Sequence, residues 1–291
     1  MQLLSPIAPG FLQKLANSFK RNFQAPAPAD EMVPPAPTQS SASAPPAMQD
    51  NVRLMTECKE EDVFIVGYPK SGNTWFQELA AGTVYGLVPQ YGPPTLVQDL
   101  VPDVHFRPHY RRYATPTFFK SHHLPRTEYR RVVYLLRDGR DAMVSYYHWF
   151  SARYGQELDF LDMVRNGTNL FPDGCKWHQH VEAWLANPFE AQMLILKYED
   201  LKANTVRELE RFCAFLGIER ERQFLEFMAA EATFDKMRAR EARLSKYSKM
   251  PPGKFFRRRG IVGGYRDEMP AAVLDAFRQE AAPTLRKTGY L

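Results

Sequence analysis

One short stretch limits what this chain can fold into more than any other. The apolar run VFIV at residues 63–66 lies between charged residues and a glycine, as expected of a buried strand. A loop with two glycines follows, and residues 74–85 have the apolar spacing of a helix. Such a loop combines free backbone N–H groups with the positive end of a helix, and that combination binds phosphate. We therefore predict a phosphorylated-nucleotide site; the alternative is an ordinary turn whose glycines only reverse the chain.

The remainder of the chain alternates between strand and helix patterns. Apolar runs predict three further strands, at residues 118–120, 132–136 and 193–197. Helical spacing is found at residues 141–150, 160–165, 177–185 and 205–216. Strands that alternate with helices need crossover connections, which produce a parallel sheet. The predicted fold class is α/β, with a central parallel sheet flanked by helices on both faces, in a single catalytic domain at residues 51–291.

The first fifty residues have a different composition. Residues 25–48 contain seven Ala, seven Pro and three Ser, so residues 25–50 are predicted to be a disordered linker. Residues 1–24 include a segment at 11–23 whose apolar residues have helical spacing among basic ones. Three interpretations stay open for it: weak docking to a membrane surface or a partner, a targeting peptide, and a frayed N-terminus.

Charge and cysteine content exclude several classes of protein. The formal net charge is +5, and residues 242–266 carry eight Lys or Arg without any Asp or Glu, which favours an anionic ligand. The three cysteines are far apart, so neither a disulfide framework nor a zinc knuckle is predicted. No apolar run reaches the roughly 18 residues of a membrane-spanning helix. We expect a soluble, cytoplasmic protein without a nucleic-acid partner.

The loop differs from the nucleotide triphosphate loop G-x-x-x-x-G-K-[ST] in the place of its lysine. Gly67 and Gly72 have the required spacing, but Asn73 stands at the lysine position and Lys70 comes three residues earlier. The usual lysine reaches the β- and γ-phosphates of ATP. Its displacement favours a shorter phosphoryl chain and argues against a P-loop kinase, which is one alternative function. A catalytically silent nucleotide-binding protein is another.

The loop sequence YPKSGNTW, at residues 68–75, resembles the 5′-phosphosulfate loop YPKSGTTW of cytosolic-type sulfotransferases, with Asn73 in place of a Thr. That family has a P-loop NTPase-like fold and uses 3′-phosphoadenosine 5′-phosphosulfate (PAPS) as donor, releasing adenosine 3′,5′-bisphosphate (PAP). The resemblance implies sulfuryl transfer to a hydroxyl or amine of a small-molecule acceptor, with no metal.

Three further blocks extend the resemblance in the family's order. The block RDGRDAMVSYY at residues 137–147 is similar to R-N-P-x-D-x-x-V-S-x-Y, whose Arg and Ser hold the 3′-phosphate. Residues 255–265 look like R-K-G-x-x-G-D-W, with Gly264 for Asp and Tyr265 for Trp. The motif Y-E-D-L at residues 198–201 matches one whose Tyr contacts adenine; an ordinary core aromatic is the alternative. Donor-binding roles are implied for Lys70, Ser71, Gly72, Asn73, Thr74, Trp75, Arg137, Ser145, Tyr198, Arg258, Arg259 and Gly260.

The catalytic residues are implied by the segment FKSHHLP at residues 119–125, which resembles K-T-H-L-P. The family's His is the general base, and an imidazole suits proton removal at neutral pH. Spacing from Lys120 selects His122, whereas alignment on Leu-Pro selects His123. Lys70 would neutralise the departing 5′-phosphate, Lys120 would hold the sulfuryl oxygens, and Ser145 would orient Lys70.

The acceptor is not readable from the sequence. Its pocket is expected to be aromatic and basic, from segments at 88–118, 146–172 and 238–256. The family's dimer motif has no clear counterpart, so the oligomeric state is open. The aromatic candidates are Tyr91, Phe106, Tyr110, Tyr113, Tyr146, Phe150, Tyr154, Phe171 and Tyr247.

Overall fold

The computed structural model describes residues 51–155, 158–172, 174–244 and 250–291. The interpretations of residues 1–24 and 25–50 lie outside these ranges. The described strands are β1 Val52–Leu54, β2 Val63–Gly67, β3 His109–Arg111, β4 Phe118–Ser121, β5 Arg131–Leu136 and β6 Gln192–Lys197. The described helices are α1 Asn73–Tyr85, α2 Pro94–Leu100, α3 Gly139–Tyr154, α4 Phe160–Asn166, α5 Trp177–Ala186, α6 Tyr198–Ala203, α7 Thr205–Leu216, α8 Arg222–Glu231, α9 Phe234–Arg243, α10 Tyr265–Glu268 and α11 Ala271–Thr288.

The central sheet has the strand order β4-β2-β5-β6 and every pair in it is parallel. A separate two-stranded antiparallel sheet joins β1 to β3. Because the four central strands run in one direction, their carboxyl ends meet at one edge of the sheet. The segments that leave those ends are therefore neighbours in space, although they are far apart in sequence.

Helices cover both faces of the central sheet, since its strands alternate between two apolar clusters. Phe64 and Tyr134 face the cluster that contains residues of α3, α5 and α11. Ile65 and Val133 face the other cluster, which contains residues of α1, α7 and α8. This confirms the predicted α/β architecture.

The four predicted strands are present within about one residue of their expected limits, and the five predicted helices are present too. Helices α2, α8, α9 and α11 and the small sheet were not predicted. Helix α9 is dominated by charged residues, and α11 contains Pro283, which sequence rules treat as a helix breaker. None of the described helices is long and apolar enough to cross a membrane.

Candidate functional site

A cavity of about 840 Å³ opens at the carboxyl edge of the central sheet. Its wall is formed by the loop after β2, His122 after β4, Arg137 after β5 and Tyr198 after β6. Ligands of open α/β sheets bind at this edge. The basic segment at residues 256–260 completes the wall from outside the sheet, so all the sequence blocks meet at one cavity.

The loop after β2 has a backbone shaped for close contact with a ligand. Lys70 and Gly72 have left-handed backbone conformations, with φ of 71° and 97°. Helix α1 then begins at Asn73, and its N-terminal end has no side-chain cap, which leaves amides of the first turn available to a ligand. The Asn73 side-chain amide donates to the Gly67 carbonyl at 3.0 Å and fastens the start of the helix to the end of β2.

Buried polar atoms without a hydrogen-bond partner are concentrated around this loop. Among the described residues they include Lys70 Nζ, Ser71 Oγ, Asn73 Oδ1 and Arg137 Nε. Leaving such a group unpaired costs about 1–3 kcal/mol. Three of these four atoms belong to groups that donate hydrogen bonds, and a phosphate or sulfate oxygen is the acceptor they lack. The residues present therefore fit an anionic donor molecule.

The Lys70 ammonium lies between aromatic rings, 3.5 Å from the ring centre of Phe256 and 5.3 Å from that of Trp149. Burial lowers the pKa of Lys70 well below its usual value, and the nearby charge of Arg137 adds to this shift. An anion beside Lys70 would act in the opposite direction and favour the charged form. The bond expected between Ser145 and Lys70 is not formed in this structure, although Ser145 lines the same cavity.

The Arg137 side chain connects two loops of the site. Its guanidinium donates to the carbonyl of Lys70 at 2.9 Å and to that of Ile261 at 3.0 Å. The guanidinium also lies 4.2 Å from the ring centre of Tyr198. Arg137 is thus positioned between the phosphate loop, the basic segment and the aromatic residue expected to contact adenine.

The basic segment is anchored despite its departures from the family pattern. Asp141 accepts the amides of Gly263 and Tyr265, at 2.7 and 2.9 Å. Arg258 and Arg259 both pair with Glu268. These contacts turn the two guanidinium groups toward the cavity that they line, without needing the Asp and Trp that the family carries.

His122 lines the cavity and has a fixed tautomer. Its Nδ1 lies 2.7 Å from the Gly67 carbonyl, and a carbonyl only accepts, so Nδ1 carries the proton and Nε2 has the free lone pair. Burial and the charge of Lys120 lower the pKa of His122 well below 6.5. His122 is therefore neutral at physiological pH, as a general base must be.

His123 has a different environment. Its Nδ1 is bound to the Tyr129 hydroxyl at 2.9 Å, and the residue is not part of the cavity wall. Burial lowers the pKa of His123 to about 4. Of the two candidate bases, the geometry favours His122.

A segment that the sequence analysis did not identify supports both Lys120 and His122. The buried Asp103 carboxylate pairs with the Lys120 ammonium and accepts the His105 amide at 3.0 Å. His105 Nε2 in turn accepts the backbone amide of His122 at 2.9 Å. No sequence motif marks this segment; its signal is an acid and a histidine two residues apart ahead of an apolar strand.

The predicted aromatic wall is only partly present. Phe106, Tyr146, Phe150, Tyr154 and Phe171 line the cavity, as does Trp149, which was not predicted. The prediction was wrong for three residues: Tyr91 and Tyr113 are exposed, and Tyr110 is buried in the core, where it donates to the Glu57 carbonyl. Tyr247 lies outside the described residues.

Tyr198 also restricts the phosphate loop, which leads to a stability prediction. A Cβ added at Gly72 would lie 2.8 Å from the Tyr198 ring, at a φ of 97°. We expect Gly72→Ala to reduce the free energy of unfolding by about 1–3 kcal/mol, measured by urea denaturation. Gly86→Ala is the matched control, because Gly86 also has positive φ but an added Cβ meets nothing within 4 Å. Equal losses in the two variants would contradict the proposed contact.

Comparison with known proteins agrees with this geometry. Residues 60–289 match the family described as sulfotransferase domain. The chain is 29% identical over 245 residues to sulfotransferase 2A6 of Rattus norvegicus, covering 75% of this chain and 82% of that protein. It is 28% identical over 257 residues to 3-alpha-hydroxysteroid sulfotransferase of Cavia porcellus, covering 80% and 86%. A mouse sulfotransferase complexed with PAP has the same fold, with a TM-score of 0.57, 18% identity and coverage of 80% and 86%.

Proposed function

The chain belongs to the sulfotransferase domain family, and from this premise we propose that it moves the sulfuryl group of PAPS to a hydroxyl or amine of a small molecule. The observation that carries this proposal is the meeting of two anion sites on one cavity. The loop with Lys70 and the uncapped start of α1 would hold the 5′-phosphosulfate, while Arg137, Ser145, Arg258 and Arg259 would hold the 3′-phosphate.

The residues around the transfer point have distinct roles in this proposal. PAPS supplies an activated sulfuryl group, which moves in line from the phosphate oxygen to the acceptor and needs positioning and charge stabilisation. Lys70 stabilises the charge on the 5′-phosphate as it departs. Lys120, held by Asp103, contacts the sulfuryl oxygens. His122 removes the acceptor proton through Nε2.

The aromatic rings that contact or surround the nucleotide are proposed to be Trp75 and Tyr198. Their rings are 5.9 Å apart and nearly perpendicular, and the Trp75 indole donates to the Ala232 carbonyl at 2.8 Å, which fixes its orientation. For the acceptor, the relative from Cavia porcellus is named for hydroxysteroids, and the cavity of about 840 Å³ has room for a ring system beside the nucleotide.

A ligand panel tests the proposed donor. The full chain is heated with PAP, with adenosine 5′-phosphate, and with ATP or GTP plus magnesium. PAP is expected to raise the melting temperature most, because it engages both anion sites; at 100 times its Kd it stabilises by about 2.7 kcal/mol. A larger shift with magnesium ATP would favour the kinase alternative and contradict the proposal.

A further inference from the structure

Helix α3 places a basic side chain at the end of the cavity remote from the donor, and its meaning rests on the proposed function. Ser145, Trp149 and Arg153 are four residues apart, so they share one face of the helix, and all three line the cavity. At about 1.5 Å per residue, the Cα of Arg153 lies about 12 Å along the helix axis from that of Ser145. Arg153 is therefore two turns away from the residues assigned to the donor.

The other basic residues of the wall are already engaged by described acids. Arg240 and Arg257 pair with Glu78 at 2.9 and 2.7 Å. Lys120 pairs with Asp103, and Arg258 and Arg259 pair with Glu268.

Arg153 differs from them. Within the described ranges, no carboxylate lies within 4.0 Å of its guanidinium, and its ring contact is with Tyr154, at 5.9 Å. A half-exposed guanidinium thus faces a cavity that has no carboxylate to offer it among the described residues.

The wall between Ser145 and Arg153 is aromatic. Tyr146 and Phe150 have nearly parallel rings 6.5 Å apart, and the rings of Phe150 and Tyr154 are 4.4 Å apart. Flat rings pack well against such a surface. A guanidinium at its end matches the planar, bidentate geometry of a carboxylate.

We propose that the acceptor is a planar aryl alcohol with a carboxylate at the end remote from its hydroxyl, and that Arg153 binds this carboxylate. Arg153 is then a specificity-determining residue. The chemistry of transfer is unaffected: the hydroxyl oxygen forms the new O–S bond, the O–S bond to the 5′-phosphate breaks, and the hydroxyl proton passes to His122. PAP is the leaving group.

Two matched acceptors test this proposal: 6-hydroxy-2-naphthoate and its neutral carboxamide. Their affinities for the full chain saturated with PAP are measured by naphthol fluorescence, which needs no turnover, and kcat/KM is measured with PAPS. We expect the acid to bind roughly tenfold more tightly than the amide, since a charge-assisted hydrogen bond supports a difference of that size. Arg153→Gln removes the preference by weakening binding of the acid alone, and Arg153→Lys retains part of it.

Arg165→Gln is the control, because Arg165 is an exposed basic residue at the end of α4 that does not line the cavity. It removes the same charge and is expected to leave the preference intact. Equal affinity of the wild-type chain for acid and amide, or binding of neither while PAP binds, overturns the carboxylate proposal and leaves the sulfotransferase assignment standing. Failure to bind PAP overturns the proposed function instead.

Discussion

His122→Ala is expected to lower the rate of sulfuryl transfer by about 10²- to 10⁴-fold, the usual contribution of a general base. Affinity for PAP should change little, because the described contacts of the His122 ring are with the Gly67 carbonyl, Asn73 and neighbouring rings rather than with the basic residues assigned to the phosphates. The measurements are transfer rate under saturating PAPS and PAP affinity by calorimetry. Retained PAP binding shows that the variant is folded.

His123→Ala is the matched control, since it removes the neighbouring imidazole that binds Tyr129 instead of facing the cavity. It should keep transfer within a few-fold of the wild-type rate. Full activity in His122→Ala together with an inactive His123→Ala would show that the base had been assigned to the wrong residue.

The pH profile gives an independent view of the same base. Protonated His122 cannot accept a proton, so the rate is lost as pH falls through its pKa. Because burial and Lys120 lower that pKa well below 6.5, kcat/KM should stay level from about pH 8 to below 6.5 and fall only in more acidic solution. A fall centred at or above 6.5 would contradict the environment described for His122.

Arg137→Ala is expected to weaken PAP binding by roughly 10- to 100-fold, the loss that follows from one or two charge-assisted hydrogen bonds. The variant also loses the donors to the Lys70 and Ile261 carbonyls, so the two loops of the site are held less firmly. Calorimetry with PAP measures the change, and Arg258→Ala should show a loss of the same kind.

Adenosine 5′-phosphate is the control ligand for this prediction, because it lacks the 3′-phosphate. Arg137→Ala should reduce its affinity much less than that of PAP. Equal losses for both ligands would mean that Arg137 organises the loops without contacting the 3′-phosphate.

The central sheet was predictable because its strands are buried on both faces and are therefore apolar throughout, as in residues 63–66 and 132–136. The phosphate loop and Arg137 were predictable because short spacing ties them to strand ends. Asp103 and His105 were not, since their importance depends on a partner 17 residues away across a strand edge. Aromatic content alone placed Tyr110 in the pocket wrongly, because it cannot tell which side of a core a ring faces.

The central claim is that one cavity binds PAPS and passes its sulfuryl group to a small molecule without a metal. The most direct measurement incubates the full chain with PAPS and a library of hydroxylated acceptors in the presence of a chelator, and quantifies products by mass spectrometry. The account predicts one PAP for each sulfated acceptor, an unchanged rate with the chelator, and loss of both products in His122→Ala. PAPS left intact across the library, or a phosphorylated acceptor formed from magnesium ATP, would contradict it.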